Sequence, residues 1–182
     1  MDSRDSENTL VHRSARGDQS AYATLYEMHV ERVYRHVRYQ VFDAHDAEDI
    51  TQEVFIKAWK SIHRYKPTGA PFVAWLIVVA RNAVTDYFRS KRSTQLLDDT
   101  NEPGGGNDPV ASVETAFGGD EVRGAILKLQ GDKRAVVVMR FIDGFSYEEI
   151  GRALGKTEGA VRVIQHRALK ELRGLLDEAT LR

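Results

Sequence analysis

The 182 residues hold 26 Lys and Arg against 27 Asp and Glu, a formal net charge of −1, and 42% of them are hydrophobic. That balance fits one or two globular domains and excludes wholesale disorder, collagen and a lone coiled coil. With no cysteine, disulfide frameworks, thiolate zinc, iron–sulfur clusters and thiol catalysis are excluded as well.

A short helix is expected over Leu10–Ala15, capped near Ser6. Asp18 can cap a second helix that runs to about Tyr39, with Ala21, Leu25, Val30, Val33 and Val37 recurring at spacings of three and four. Asp43 or Asp46 opens a third, in which Ala47, Ile50, Val54, Phe55, Ala58, Trp59 and Ile62 form one wide apolar face. Pro67, Gly69 and Pro71 break the chain. A fourth helix is expected from Phe72 to about Arg92. Its β-branched run Ile77-Val78-Val79 would suit a strand, but the surrounding helical spacing and the lack of any partner strand pattern favour a helix. Residues 94–121 contain seven acids and no Lys or Arg, together with Pro103, Gly104, Gly105, Gly106, Pro109, Gly118 and Gly119. Such a stretch buries too little apolar surface to offset chain entropy, so it reads as a flexible acidic linker. The flanking segments are basic, +5 over 61–93 and +4 over 122–182. Helices are expected near 120–129, 132–142, 146–154 and 157–177. The predicted fold is all-α, with two small helical domains, 1–93 and 122–182, joined by the linker 94–121.

No run approaches the roughly 18 apolar residues of a membrane span, and residues 1–10 have no apolar signal core. The expectation is therefore a cytoplasmic chain without membrane insertion.

The sharpest local signal lies in the second domain. Ser146 precedes Glu149 by three residues, the spacing of a capping box. Ile150, Ala153 and Leu154 make a short apolar face. Gly155 sits where the chain must turn, since it accepts a left-handed backbone cheaply. Thr157 can cap the next helix, whose inner stripe is Val161, Ile164, Ala168 and Leu172. Two short helices joined by a tight Gly-containing turn are the helix-turn-helix arrangement, whose second helix enters the DNA major groove by its N-terminal end. Lys156, Thr157, Glu158, Arg162 and His166 are the candidate DNA-facing groups. An ordinary helical hairpin with solvated charges would show the same pattern.

In the first domain, Asp49, Gln52 and Glu53 lie at i, i+3 and i+4 and form one polar patch on the third helix. Further on, aromatic and basic residues mingle: Tyr65, Phe72, Trp75, Arg81, Asn82, Tyr87, Phe88, Arg89. Single-stranded nucleic acid needs positive charge for its backbone and flat or amide groups for its bases. Trp75 and Phe88 suit a core equally well.

In order, these blocks resemble the bacterial sigma-70 family, specifically its extracytoplasmic-function group. The run from Asp46 to Trp59 looks like region 2.2, Phe72 to Arg89 like regions 2.3 and 2.4, and Phe145 to Arg173 like region 4.2. The resemblance implies a promoter-specificity subunit of RNA polymerase with no catalysis or cofactor of its own. Asp49, Gln52 and Glu53 match the face that docks on the clamp helices of the beta-prime subunit, and the second domain would meet the beta flap. The Ser61–Pro71 loop and the following helix match the part that opens and reads the −10 element, with Arg64, Lys66, Arg81, Asn82, Asp86 and Arg89 as its candidate contacts. The helix-turn-helix matches the reader of the −35 element. An anti-sigma factor is implied as a further partner. The connector of the family threads the polymerase's active-site cleft and RNA exit path, which fits an acidic segment because such channels are lined with positive charge. Two stretches depart from the family pattern: Leu129-Gln130-Gly131, where Leu-Pro is common, and Val163-Ile164-Gln165 in the recognition helix.

Two other readings remain from the residues alone. A stand-alone helix-turn-helix regulator would share the C-terminal motif, but the chain lacks the alternating strands and helices of a phosphoacceptor domain. A helical metal-dependent enzyme would draw on His29, His36, His45, Asp46, Glu48 or Asp49, but their spacing fits no metal motif, and acids in a first helical turn are explained by the helix dipole.

Overall fold

The computed structural model describes residues 3–66, 70–98 and 119–180. Among the described residues the regular elements are all helical: α1 (Ser3–Ala15), α2 (Gln19–Arg38), α3 (Ala44–Ser61), a 3-10 turn (Ile62–Arg64), α4 (Phe72–Asp98), α5 (Gly119–Lys128), α6 (Asp132–Val137) continuing as a π-helical turn (Val138–Ile142), α7 (Tyr147–Leu154) and α8 (Glu158–Thr180).

Local chemistry sets the helix starts. The Asp18 carboxylate accepts from the backbone of Ser20 and Ala21 at 3.0 and 3.1 Å. Asp43, rather than Asp46, opens α3 by accepting from His45 and Asp46 at 2.7 and 3.1 Å. These bonds favour the ionised form and hold both carboxyls below the usual range. Asp46 instead accepts from the Tyr87 hydroxyl at 2.5 Å, tying the start of α3 to α4.

Three boundaries differ from the sequence expectation. α1 begins at Ser3, not near Leu10. α4 continues to Asp98, because no Gly or Pro interrupts residues 93–98. The span 94–121 is thus helical at both ends, and its middle, 99–118, lies outside the described residues. The helix expected over 132–142 is α-helical only to Val137 and then widens into the π turn.

α1 to α4 close around one interior. Leu25, Val33 and Val37 from α2, Ala47, Val54 and Ala58 from α3, and Leu76, Ala80 and Ala83 from α4 are all fully buried there. α4 carries two apolar stripes. Phe72, Leu76 and Ala80 face this bundle, while Val73 and Ile77, one position round the helix, pack against Val136, Met139, Phe145, Ile150 and Val161 of the second domain. The second domain has a further cluster of its own, Ile126, Leu129, Val137, Val138 and Ala168, against which Tyr39 also packs. The two domains therefore meet along a seam.

Polar groups line the same seam at the C-terminal end of α2, where carbonyls lack intrahelical partners. Arg123 donates to the carbonyls of Arg38, Val41 and Phe42 at 3.0, 3.1 and 2.9 Å. Arg134 donates to the Gln40 carbonyl at 2.9 Å. Arg32 donates to the Asp143 carbonyl at 2.5 Å, and His36 Nδ1 lies 2.6 Å from Asp143 Oδ2.

Candidate nucleic-acid interface

Asp49, Gln52 and Glu53 are all exposed on one side of α3. Glu53 pairs with Lys57 at 2.9 Å, Lys57 with Asp86 of α4 at 3.1 Å, and Asp86 with Arg89 at 3.4 Å. The two carboxylates raise the Lys57 ammonium above its ordinary range. Asp86, a −10 candidate, is thus engaged by two cations, and the chain of pairs links the α3 patch to α4.

An apolar groove of about 440 Å³ adjoins that patch, lined by Tyr22, Tyr26, Gln52, Phe55, Ile56 and Trp59. Ile56 is 54% exposed there. Tyr22 fixes one wall by donating its hydroxyl to the Phe55 carbonyl at 2.5 Å, and burial pushes its pKa up. The sequence placed Phe55 and Trp59 on the apolar face of the third helix. The available signal was Ile56, which lies outside the inner stripe Ile50, Val54 and Ala58.

On the other side of the first domain, Arg64 and Lys66 are exposed on the segment leading into the Ser61–Pro71 loop, of which 67–69 lie outside the described residues. Trp75 is half-buried and tilted against Tyr65 and Phe72, with ring centroids 5.2 and 5.4 Å away. Asn82 and Arg89 are exposed on α4, whereas Arg81 is half-buried. Arg81 lies 3.6 Å from Asp132 of the second domain.

The helix-turn-helix has the local geometry its sequence implies. Ser146 and Glu149 form the reciprocal capping box. Gly155 caps α7 with a left-handed backbone, φ 64°. Thr157 Oγ1 accepts from the Ala160 amide at 3.2 Å. Gly151, which the sequence reading passed over, is needed for close approach: a Cβ there would stand 2.7 Å from the Lys156 carbonyl oxygen. Lys156 pairs with Asp132 at 3.0 Å. Arg162 lies 3.6 Å from Glu158, and its guanidinium sits 4.0 Å from the Tyr147 ring centroid. His166 is exposed. Of the departing residues, Ile164 packs inward and Val163 is 50% exposed.

The histidines and acids of the enzyme reading are scattered. His36 pairs with Asp143, His29 with Glu7 and His45 with Glu48. Among the described residues no three His, Cys, Asp or Glu side chains could hold a metal ion together.

Residues 25–94 match the model of Sigma-70 region 2, and residues 125–174 match that of Sigma-70 region 4. The ECF RNA polymerase sigma factor ShbA of Streptomyces griseus is 34% identical, over 96% of this chain and 100% of its own length. The chain belongs to the ECF RNA polymerase sigma factors. It is also 33% identical to the RNA polymerase sigma factor CarQ of Myxococcus xanthus, over 91% of this chain and 94% of that protein. It is 34% identical to the ECF sigma factor BldN of Streptomyces coelicolor, over 93% of this chain, but spans only 65% of BldN. CnrH, solved with the cytosolic domain of CnrY, shares the fold at a TM-score of 0.71 and 26% identity, covering 94% of this chain and 97% of that one. RpoE, solved with the anti-sigma factor NepR from Bartonella quintana, shares the fold at a TM-score of 0.69 and 22% identity, covering 86% of this chain and 96% of that one.

Proposed function

We propose that this chain is an alternative sigma factor that directs promoter-specific transcription initiation, acting in the cytoplasm as a subunit of RNA polymerase. The reading rests above all on one observation, the match to both sigma regions in the right order across one chain. The α3 patch of Asp49, Gln52 and Glu53 serves as the docking face for the polymerase clamp helices. The neighbouring groove supplies the apolar core that a polar patch alone lacks, since stable interfaces desolvate an apolar centre inside a polar rim.

Arg64, Lys66, Arg81, Asn82, Asp86 and Arg89 are the proposed −10 contacts. Extruding a base costs a few kcal/mol, which a site that captures the free base offsets. Asn82 offers both a donor and an acceptor to a base edge. The −35 contacts are Lys156, Thr157, Glu158, Arg162 and His166, with the second domain also meeting the beta flap. The chain carries no catalytic step and no cofactor; the polymerase does the chemistry. An anti-sigma factor is a further proposed partner, in keeping with the sigma fold of CnrH, which was solved with another protein bound.

The docking face is tested by gel filtration with purified core polymerase. Asp49→Ala with Gln52→Ala should weaken co-elution at least tenfold while leaving the far-UV spectrum unchanged, since both side chains are exposed. Unchanged co-elution would refute the assignment of that face.

A further inference from the structure

The helix α8 presents a side chain that neither its core nor its caps account for. Val163 is 50% exposed. At about 100° per residue it lies about 160° round the helix from Val161 and about 180° from Leu172, two residues that pack inward. It therefore stands at the crest of the outer face, in the second turn of a helix whose N-terminal end enters the major groove. One turn earlier on the same crest is Gly159, also exposed. A Cβ on Gly159 would meet nothing within 4 Å, so no close packing calls for a glycine there. Glycine and a β-branched residue are both poorer helix formers than alanine or lysine. The helix gains nothing from either at these places. A surface pressed against the crest gains from both: Gly159 lets it come close, and Val163 offers it apolar area. A single exposed valine is ordinary on a protein surface; the pairing with Gly159 on the outer crest of this helix sets it apart.

The polar candidates around the crest are held by partners within the chain. Lys156 pairs with Asp132 at 3.0 Å, and Thr157 accepts from the Ala160 amide at 3.2 Å. Arg162 lies 3.6 Å from Glu158, and its guanidinium is 4.0 Å from the Tyr147 ring centroid. The same ring has the Arg140 guanidinium 4.7 Å from its centroid. Arg162 is thus drawn sideways toward α7 and away from the crest, a placement that suits a phosphate at the groove edge. The centre of the face is left to Val163.

The major-groove edges of the bases carry ring N7 atoms, carbonyl oxygens and amino groups, and one apolar projection, the 5-methyl group of thymine. We propose that Val163 is a specificity-determining residue that packs on the 5-methyl group of a thymine in the −35 element. The inference rests on the sigma-factor reading for bringing DNA to this face; it adds which base chemistry the centre of the face selects. Selection works in both directions. The methyl group and the valine leave water together, whereas a purine at that place would set N7 and its neighbouring polar group against a side chain that can bond neither.

The test uses core polymerase loaded with the full chain. Duplexes are selected by retention from a random-sequence pool, and each thymine of the selected −35 element is replaced singly by deoxyuridine, which removes the methyl group and keeps the base pair. One replacement should weaken wild-type binding about three- to fivefold, the worth of one methyl group withdrawn from water. The same replacement should leave binding by Val163→Ala unchanged within about 1.5-fold, closing a double-mutant cycle between side chain and methyl group. A pool selected by Val163→Ala should lose its preference for thymine at that position and keep the rest of the element. Val163 is exposed, so the variant keeps its fold, and the deoxyuridine series on the wild-type chain needs no variant. The assignment is overturned by a selected −35 element without thymine, by deoxyuridine replacements that all leave wild-type binding unchanged, or by a full loss that persists in Val163→Ala. In each of those cases selection still depends on the chain. Retention of no sequence beyond what core polymerase alone retains would instead overturn the sigma-factor reading, and this assignment with it.

Discussion

The interior of the first bundle and the seam between the domains are equally dry, yet they differ in how they are built. Leu25 in the bundle and Ile77 at the seam are both 0% exposed. Leu25 belongs to a cluster of buried apolar side chains drawn from α1, α2, α3 and α4. Around Ile77 the apolar contact is a short stripe, and beside it lie Arg32, His36, Arg123 and Arg134 reaching for carbonyls and one carboxylate. The first kind of contact defines a domain. The second resembles an interface between partners, with an apolar centre and a polar border.

The largest expected effect separates these two. Leu25→Ala should cost about 2–5 kcal/mol of global stability, as for other fully buried leucines. Ile77→Ala should cost less than about half of that, because Ile77 packs in the smaller cluster between the domains rather than in the interior of the bundle. Parallel urea unfolding of both variants measures the contrast, and equal losses would make the seam an ordinary core. Next in size is Gly151→Ala. Its Cβ would meet backbone 2.7 Å away, and backbone cannot rotate aside as a side chain can. We expect a loss of about 1–3 kcal/mol, confined by hydrogen exchange to α7 and α8 and leaving the first bundle intact. Protection lost evenly across both domains would mean that they unfold as one unit.

The smallest expected effect concerns the caps of the first bundle. Asp18 and Asp43 have depressed pKa values because they accept backbone N–H bonds. A carboxyl that is more acidic folded than unfolded contributes stability in full above its unfolded pKa, about 4, and loses it as the pH falls through the folded value. Asn caps helices well and does not titrate there. The double variant Asp18→Asn, Asp43→Asn should therefore show a shallower decline in Tm below pH 4 than wild type. An identical decline would place the acid sensitivity elsewhere.

The same contrast explains what could be read from the sequence. Asp18, Asp43, Ser146 with Glu149, and Gly155 act within a few residues of themselves, so their spacing announced them. The inner stripes of α2 and α3 were legible because helical period alone decides which residues meet. His36 and Asp143 are 107 positions apart, and no local pattern pairs them; His36 read only as one of several scattered histidines. Asp132 stands in the first turn of α6, where the helix dipole already favours an acid, so nothing in the sequence marks it for the seam. Gly151 looked like a neutral member of a short helix, since the carbonyl it must clear belongs to the next turn of chain. One trace of the seam was present: Val73 and Ile77 beside Phe72 and Leu76 make α4 apolar over more than one bundle can cover.

Initiation itself tests the central claim most directly. Purified core polymerase is mixed with this chain and a set of genomic fragments, and run-off RNA is mapped at its 5′ ends. The account predicts discrete start sites that depend on the chain and share sequence at both −10 and −35. It also predicts that Asn82→Ala reduces melting, read by permanganate, more than binding. Starts that are the same without the chain, or chain-dependent RNA with no common upstream sequence, would contradict it.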